Sequence, residues 1–443
     1  MTSVVTRFAP SPTGYLHAGN YRTAVFAYLF AKHNGGIFVV RIEDTDAARS
    51  RPEYEENIRD ALAWLRLPAD ETYRQSEHRV RHRELLEKLV TDGAAYVSKE
   101  KPQAPGDREE VIRFKNPGGA VSFTDVIRGE ITTDVSELGD FIIARSFDEP
   151  VFHFAVVVDD ADEQVTHVIR GGDHISNTAR QMLIQRALGL PLPFYAHLPL
   201  IFDNKHKKLS KRSGAKALTD YRDQGFLPEA FLNYLAFLGW NPGDDREYLS
   251  RDELVEVFDL SRVQKGSAVF DEVKLLSVNQ HWMRTLSDDD FITRGNFIAV
   301  DGEKLYKAVP LLKERAHTLA EANEMLSGEL SYLFSVPELN RVRLAAKELP
   351  IRSGMTKPAL ESLIQAIKAL PEGVSAETVK EALMPLADAE EAKGKGGRGA
   401  VLWPLRYALS GQERSPDPFT LISILGSMES VSRIQKAIAI LEG

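Results

Sequence analysis

Apolar positions change period along this chain, and the changes mark its parts. Val4-Val5-Thr6-Arg7-Phe8 is short, β-branched and apolar, and predicts a strand. Pro10, Pro12 and Gly14 stop it, because proline removes backbone donors and glycine permits turns that other residues resist. The run Tyr21 to Phe30 suits a helix packed on a sheet, and Ile37 to Ile42 predicts a second strand. Ser50 and Glu53 stand at the spacing of a capping box, predicting a helix that runs towards Trp64. Strand and helix patterns alternate in this way through roughly the first ninety residues, which argues for a parallel sheet. Pro102, Pro105 and Gly106 then mark a loop, with strand-like runs at Val111–Phe114 and Phe141–Ala144, so residues 83–155 read as an insert. Val151–Phe154 is also taken as a strand, where Phe152 and His153 would face opposite ways. The parallel pattern resumes at Val165–Arg170. Beyond residue 215 the chain is mostly helical: Leu360, Leu363, Ile364, Ile367 and Leu370 share a face after Thr356-Lys357-Pro358, and Ile434, Ile438 and Leu441 repeat the pattern.

Two short motifs carry chemistry. In Ala9-Pro10-Ser11-Pro12-Thr13-Gly14-Tyr15-Leu16-His17-Ala18-Gly19-Asn20, His17 and Asn20 fall at or just before a helix N-terminus. Free backbone N–H groups and the helix dipole favour phosphate there, and small residues at Ala18 and Gly19 let a nucleotide approach the backbone. The second motif, Lys208-Leu209-Ser210-Lys211-Arg212, is a basic loop in which Leu209 anchors the chain while Lys208 and Lys211 reach one ligand. Such lysines neutralise charge that develops on a pyrophosphate in the transition state. A charge run alone is usually a solvated face. Together the two motifs suit a triphosphate held from two sides.

Composition changes this picture little. The 443 residues are 43% hydrophobic, enough for two or more domains with substantial cores. There is no signal-peptide pattern and no long apolar run, so the expectation is a cytoplasmic protein without membrane contact. With no Cys, disulfides and thiolate zinc sites are excluded. A net charge of -9 does not oppose RNA binding, because phosphate contacts need local positive charge.

The two motifs resemble the HIGH and KMSKS signatures of class I aminoacyl-tRNA synthetases, and the likeness is closer than the class. Thr6–Gly14, Arg41-Ile42-Glu43-Asp44-Thr45-Asp46, Tyr73–Ser76, Val156-Val157-Val158-Asp159-Asp160 and Thr166–Gly171 resemble bacterial glutamyl-tRNA synthetase. So do Asn177–Gln181, Leu227–Ala230, Leu238-Gly239-Trp240, Phe270-Asp271, Lys395-Gly396 and Pro404–Gly411, so the likeness spans nearly the whole chain.

The resemblance implies an α/β Rossmann-type catalytic domain with an inserted α+β acceptor-binding domain, followed by an α-helical anticodon-binding half. Its bounds would be 1–82 and 156–215 for the catalytic domain, 83–155 for a shortened acceptor-arm-binding insert, 216–295 for a stem-contact region and 296–443 for the anticodon-binding domain. It implies ligation of L-glutamate to tRNA(Glu) through a glutamyl-adenylate, with ATP as a substrate accompanied by Mg2+ and no zinc. His17, Asn20, Lys208 and Lys211 would be catalytic, and Arg7, Ala9, Ser11, Glu43, Phe152 and Arg170 would bind glutamate. Arg7 would meet the substrate side chain and Glu43 its ammonium group. Pro10, Thr13, Gly14, His17, Gly19, Asn20, Asp173, Leu209, Ser210 and Lys211 would bind ATP. Asp44 and Asp46 are read as caps of the following loop and helix. No residue need act as a covalent nucleophile. A monomer is implied.

Three positions depart from the family pattern: the insert is short, Phe152 stands where a Tyr is usual, and Gly172 stands where an acidic residue is common. They leave open charging of tRNA(Gln) as well or instead, and a catalytically weak paralogue that regulates by binding tRNA or an amino acid. Transfer of glutamate to a modified tRNA base is disfavoured by the long helical C-terminal half.

Overall fold

The computed structural model describes residues 3–100, 109–209, 216–297, 301–344, 353–392 and 398–442. The chain divides into two compact units, Met1–Trp282 and Met283–Gly443.

Residues of the first unit form strands β1 (Val5–Phe8), β2 (Ile37–Ile42), β3 (Glu71–Arg74), β4 (Ala95–Lys99), β5 (Glu110–Phe114), β6 (Ala120–Asp125), β7 (Gly129–Asp134), β8 (Phe141–Ser146), β9 (Glu149–Pro150), β10 (His167–Gly171), β11 (Phe194–Leu198), β12 (Ile201–Phe202) and β13 (Ala268–Val269). Its helices are α1 (Ala18–His33), α2 (Pro52–Trp64), α3 (Arg79–Thr91), α4 (Phe152–Asp162), α5 (Ile175–Leu188), α6 (Leu218–Asp223), α7 (Pro228–Phe237), α8 (Arg251–Val257) and most of α9 (Glu272–Thr285). The main sheet has the order β3-β2-β1-β10-β11-β6-β7. Its first five strands run parallel, as in a Rossmann half. The stretch 83–155 contributes in three places. It includes most of α3, which packs on α4 and α5. It supplies the antiparallel sheet β4-β5-β8-β9, and the hairpin β6–β7 joins the main sheet beside β11 through the pair Tyr195 and Asp125.

Strand alternation divides the two faces of this sheet. Thr6 and Phe8 look towards α1: the Thr6 hydroxyl donates to the Ala27 carbonyl at 2.8 Å, and the Phe8 ring lies 6.1 Å from that of Tyr21. Val5, Val39 and Val168 instead join a core with Leu85 of α3, Val157 of α4 and Met182 of α5. Arg7, Arg41 and Arg170 lie two residues beyond those valines on their strands, and so on the same face as the core.

Three local expectations are corrected. Ser50 does not cap α2: Arg51 is the N-cap without a side-chain bond, because Pro52 takes the first helical position, where its missing N–H costs nothing. Val151–Phe154 is not a strand. Val151 is the N-cap of α4, and the run Phe154–Asp160 is buried all round, so it offers no period by which to tell helix from strand. Pro358 does not open its helix but lies inside one that already runs from Ser353.

The second unit is helical: α10 (Asp288–Gly295), α11 (Gly302–Arg315), α12 (Leu319–Ser327), α13 (Arg341–Leu344), α14 (Ser353–Lys368), α15 (Ala376–Ala392), α16 (Gly399–Ser410) and α17 (Pro418–Glu442). Leu360, Leu363 and Ile367 of α14 are fully buried, as the spacing predicts, together with Leu405 of α16 and Leu421 and Ile434 of α17. Arg433 crosses this core, donating to the carbonyls of Leu409 (2.6 Å) and Ser335 (3.1 Å). Gly426, at φ 79°, breaks α17 where a side chain would be strained.

Candidate active site

A cleft of about 490 Å3 opens at the C-terminal ends of β1, β2 and β10, where ligands bind in open α/β sheets. Arg7, Ala9, Pro10, Ser11, Thr13, His17, Gly19, Asn20, Glu43, Phe152, Arg170, Asp173, Lys208 and Leu209 all line it. Gly14 does not. Ser210 and Lys211 lie outside the described residues. A larger cavity, about 680 Å3, lies in the second unit between α11, α17 and the start of α15, lined by Lys307, Arg315 and Asp417 among others. It brings together none of the residues that the motifs single out.

One end of the cleft is built on paired charges. Arg7 donates to both oxygens of Asp160 on α4, at 3.1 and 3.4 Å. Arg41, fully buried behind it, donates to Asp160 (2.8 Å), Glu163 (2.6 Å) and Glu43 (3.2 Å). Burial would lower the Arg41 pKa, but Asp160, Glu163, Glu43 and Asp159 together hold it well above its ordinary value. Burial also pushes the Glu43 carboxyl upward, against the pull of Arg41 and Arg7. Asp160 is held below its ordinary value because Arg7 and Arg41 outweigh its burial.

Arg170 is different. Its partners are neutral: Nε donates to His197 Nε2 at 3.1 Å and Nη2 to the Thr178 hydroxyl at 2.8 Å. Its guanidinium lies 5.5 Å from the centre of the Tyr195 ring. It is 6% exposed, and burial lowers its pKa to about 10. Among the described residues no carboxylate lies within ion-pair distance of it. Arg22 also lines the cleft without a carboxylate, but it is spent on structure, donating to the carbonyls of Leu238 and Pro199.

At the other end, His17 is the N-cap of α1, as its place in the motif predicts. Its Nδ1 accepts the Gly19 N–H at 3.1 Å, so a neutral ring carries its proton on Nε2, and Asn20 Oδ1 accepts the His17 N–H at 3.1 Å. Lys208 and Asp173 pair across the cleft at 3.0 Å, which holds the Asp173 carboxyl below its ordinary value despite burial. Gly171 leaves room for that carboxylate: a Cβ there would stand 2.4 Å from Asp173 Oδ1. Gly172 has a comparable reason, since a Cβ would meet the Leu198 carbonyl and the Arg128 guanidinium, each at 2.9 Å. Phe152 opens α4, 37% exposed, with its ring 5.7 Å from that of His174, whose pKa burial lowers to about 4.

Asp46 accepts from the Arg49 N–H at 3.3 Å and closes the following turn. Asp44 caps neither the next loop nor the next helix. It accepts from Ser76 N (2.9 Å), Ser76 Oγ (2.8 Å) and Arg74 (3.0 Å), because β3 lies beside β2 and brings that loop against it. Sequence reasoning also missed Arg41, Asp160, Glu163, His197 and Thr178. The paired acids Asp159-Asp160 were visible as a motif, but their partners are more than 70 residues away.

A family model for tRNA synthetases class I (E and Q), catalytic domain, matches residues 3–110 and 102–277, and one for an anticodon binding domain matches 278–438. Among solved structures, a glutamate tRNA ligase from Elizabethkingia meningosepticum, determined with its amino acid, is 33% identical. The match covers 99% of both chains with a TM-score of 0.85. A glutamate-tRNA synthetase from Elizabethkingia anophelis is also 33% identical, over 99% of this chain and 100% of that one, with a TM-score of 0.84. With both halves matched in order and two glutamate-tRNA ligases matched over nearly their whole length, the chain belongs to the class I tRNA synthetases for glutamate and glutamine, in their bacterial glutamate branch.

Proposed function

We infer that the protein joins L-glutamate to the 3′ end of tRNA(Glu) in two ATP-driven steps. The observation that carries this reading is Arg170: a buried cation facing the cleft, held by neutral groups only, beside the Arg7–Asp160 pair in the cleft that Glu43 also lines. Such a cation suits a substrate carboxylate, and Arg7 adds a second positive charge. Glu43 takes the substrate ammonium, whose charge offsets the burial that disfavours the ionised carboxylate. His17, through Nε2, and Asn20, through its side-chain amide, hold phosphate at the start of α1 with the help of the helix dipole, and Lys208 and Lys211 of the basic loop supply positive charge against it. Lys208 releases Asp173 when the nucleotide enters.

The substrate α-carboxylate attacks the α-phosphorus of ATP. An O–P bond forms, the bond to the bridging oxygen breaks, and pyrophosphate leaves. A terminal ribose hydroxyl of the tRNA then attacks the carbonyl carbon of the mixed anhydride, and AMP leaves. Neither step needs an enzyme nucleophile; positioning and charge stabilisation supply the rate. Mg2+, brought with ATP, would offset the charge of its phosphates. Asp173, which lines the cleft, is engaged by Lys208, so the donor set suits a metal carried by the nucleotide rather than caged by protein. The second unit contributes tRNA recognition through its helices, the insert contacts the acceptor arm, and the protein works as a monomer in the cytoplasm, where ATP and tRNA are supplied.

Pyrophosphate exchange in the presence of tRNA tests this account. Exchange should proceed with glutamate and not with glutamine. Lys211→Ala should lower it by at least about a hundredfold while tRNA affinity stays within about threefold, because that lysine acts on charge developing in the transition state. Equal losses in both would contradict the role.

A further inference from the structure

The hydrogen bonds behind Arg170 lead out of the Rossmann strands and into the insert. Asp125 ends β6, in the inserted hairpin. Its Oδ1 accepts the N–H groups of Ile127 (3.0 Å) and Arg128 (2.9 Å), closing the hairpin turn. Its Oδ2 accepts the His197 backbone N–H (3.0 Å) and His197 Nδ1 (2.7 Å). A carboxylate at Nδ1 fixes the ring proton there, so Nε2 carries its lone pair towards Arg170 Nε. The Thr178 hydroxyl accepts from Arg170 and lies 3.1 Å from His197 Nε2 and 3.3 Å from the His174 carbonyl. Nε2 has one lone pair and Arg170 uses it, so the hydroxyl proton goes to that carbonyl. Asp125 is 1% exposed, and His197 and Thr178 are fully buried.

A carboxylate at the position of His197 would orient the guanidinium equally well, but it would cancel the charge the substrate needs. The imidazole separates the two functions. We propose that His197, held in one tautomer by Asp125 of the inserted hairpin, is a positioning residue for glutamate binding: it aims Arg170 while leaving its positive charge for the incoming carboxylate. This rests on the reading of Arg170 as a glutamate-binding residue. The hairpin pairs with β11 through one residue pair, Tyr195 and Asp125, and the same Asp125 sets His197, so the insert belongs to the amino-acid site as well as to the surface around it.

The test is steady-state charging by the full-length protein, with the KM for glutamate read against the KM for ATP. His197→Asn keeps a donor for Asp125 but does not reach Arg170. It should raise the glutamate KM by at least about tenfold, the worth of a hydrogen bond to a charged group, with the ATP KM unchanged. His197→Gln, whose carbonyl reaches the Nε2 position, should restore most of that loss. A glutamate KM untouched in His197→Asn but raised in Arg170→Ala would overturn the positioning role alone. An unchanged KM in Arg170→Ala would overturn the reading of the site beneath it. Histidine-selective 15N spectra of the unaltered protein give a check that no variant has to survive. The resonance that disappears in His197→Gln should show Nδ1 protonated and Nε2 bare, and the opposite tautomer would overturn the proposal.

Discussion

Four carboxylates, Glu43, Asp159, Asp160 and Glu163, meet two guanidiniums, Arg7 and Arg41, in the buried floor of the cleft. His78 and His82 also face Asp159, and Glu163 is the carboxyl of the four placed to keep a proton. One of its oxygens accepts from Arg41, while the other has no hydrogen-bond partner among the described residues. Burial pushes its pKa up to about 8, with Arg41 opposing and Asp160 and Asp159 adding to the rise. In the unfolded chain the same group titrates near its ordinary 4.5. Between those values the folded protein holds a proton that the unfolded chain has lost, so stability falls as pH rises through this window. Glu163→Gln, which mimics the protonated acid, should lack that slope and stay within about 1 kcal/mol of the parent near pH 5. Denaturant titrations across the window check it, and parallel curves for the two proteins would contradict it. At this scale Arg7, Glu43 and Arg170 were legible because each ends a strand in a recognisable motif. Arg41 was not assigned a role, and neither were Asp160 and His197. Their partners meet across the sheet, and no local pattern records that pairing.

Elements were legible where one-sided burial, or a short β-branched apolar run bounded by turn residues, marked them. The spacing in α14 and the strand Ile37–Ile42 are found as predicted, whereas Val151–Phe154 leads into a helix buried on every side, whose sequence carries no period. Two helix-start signals misled: the Ser50–Glu53 spacing, because Pro52 takes the first helical position, and Pro358, which lies inside its helix. The N-terminus of α1 was read correctly, and its geometry makes a sharper prediction. A Cβ on Gly19 would stand 2.9 Å from His17 Cε1 and 3.0 Å from Nδ1. Gly19→Ala must therefore drive the imidazole out of its cap. Loss of the cap should cost about 1 kcal/mol of stability, whereas adenylate formation should fall by at least about tenfold as the phosphate site loses its shape. Thermal melts beside pyrophosphate exchange separate the two effects. Unchanged exchange would mean that His17 has no part in the step.

The two units each bury their own core, so calorimetry should resolve two unfolding transitions. Glutamate with a non-hydrolysable ATP analogue should raise only the one belonging to Met1–Trp282, by about 2.7 kcal/mol at a hundred times the Kd. A single transition, or a shift in both, would show that the units unfold as one. Hydrophobic pattern alone made the C-terminal half only a helical domain; its likeness to an anticodon binding domain was legible in motifs and is matched over 278–438. No spacing in the chain singles out the side chains that would read an anticodon. Charging of purified tRNA decides whether the protein makes glutamyl-tRNA. Radiolabelled glutamate, ATP and Mg2+ are incubated with the enzyme and separately purified tRNA(Glu) or tRNA(Gln). tRNA(Glu) should be charged, with Phe152 in the cleft. Failure to charge tRNA(Glu), with ATP and tRNA still bound, would contradict the proposed function.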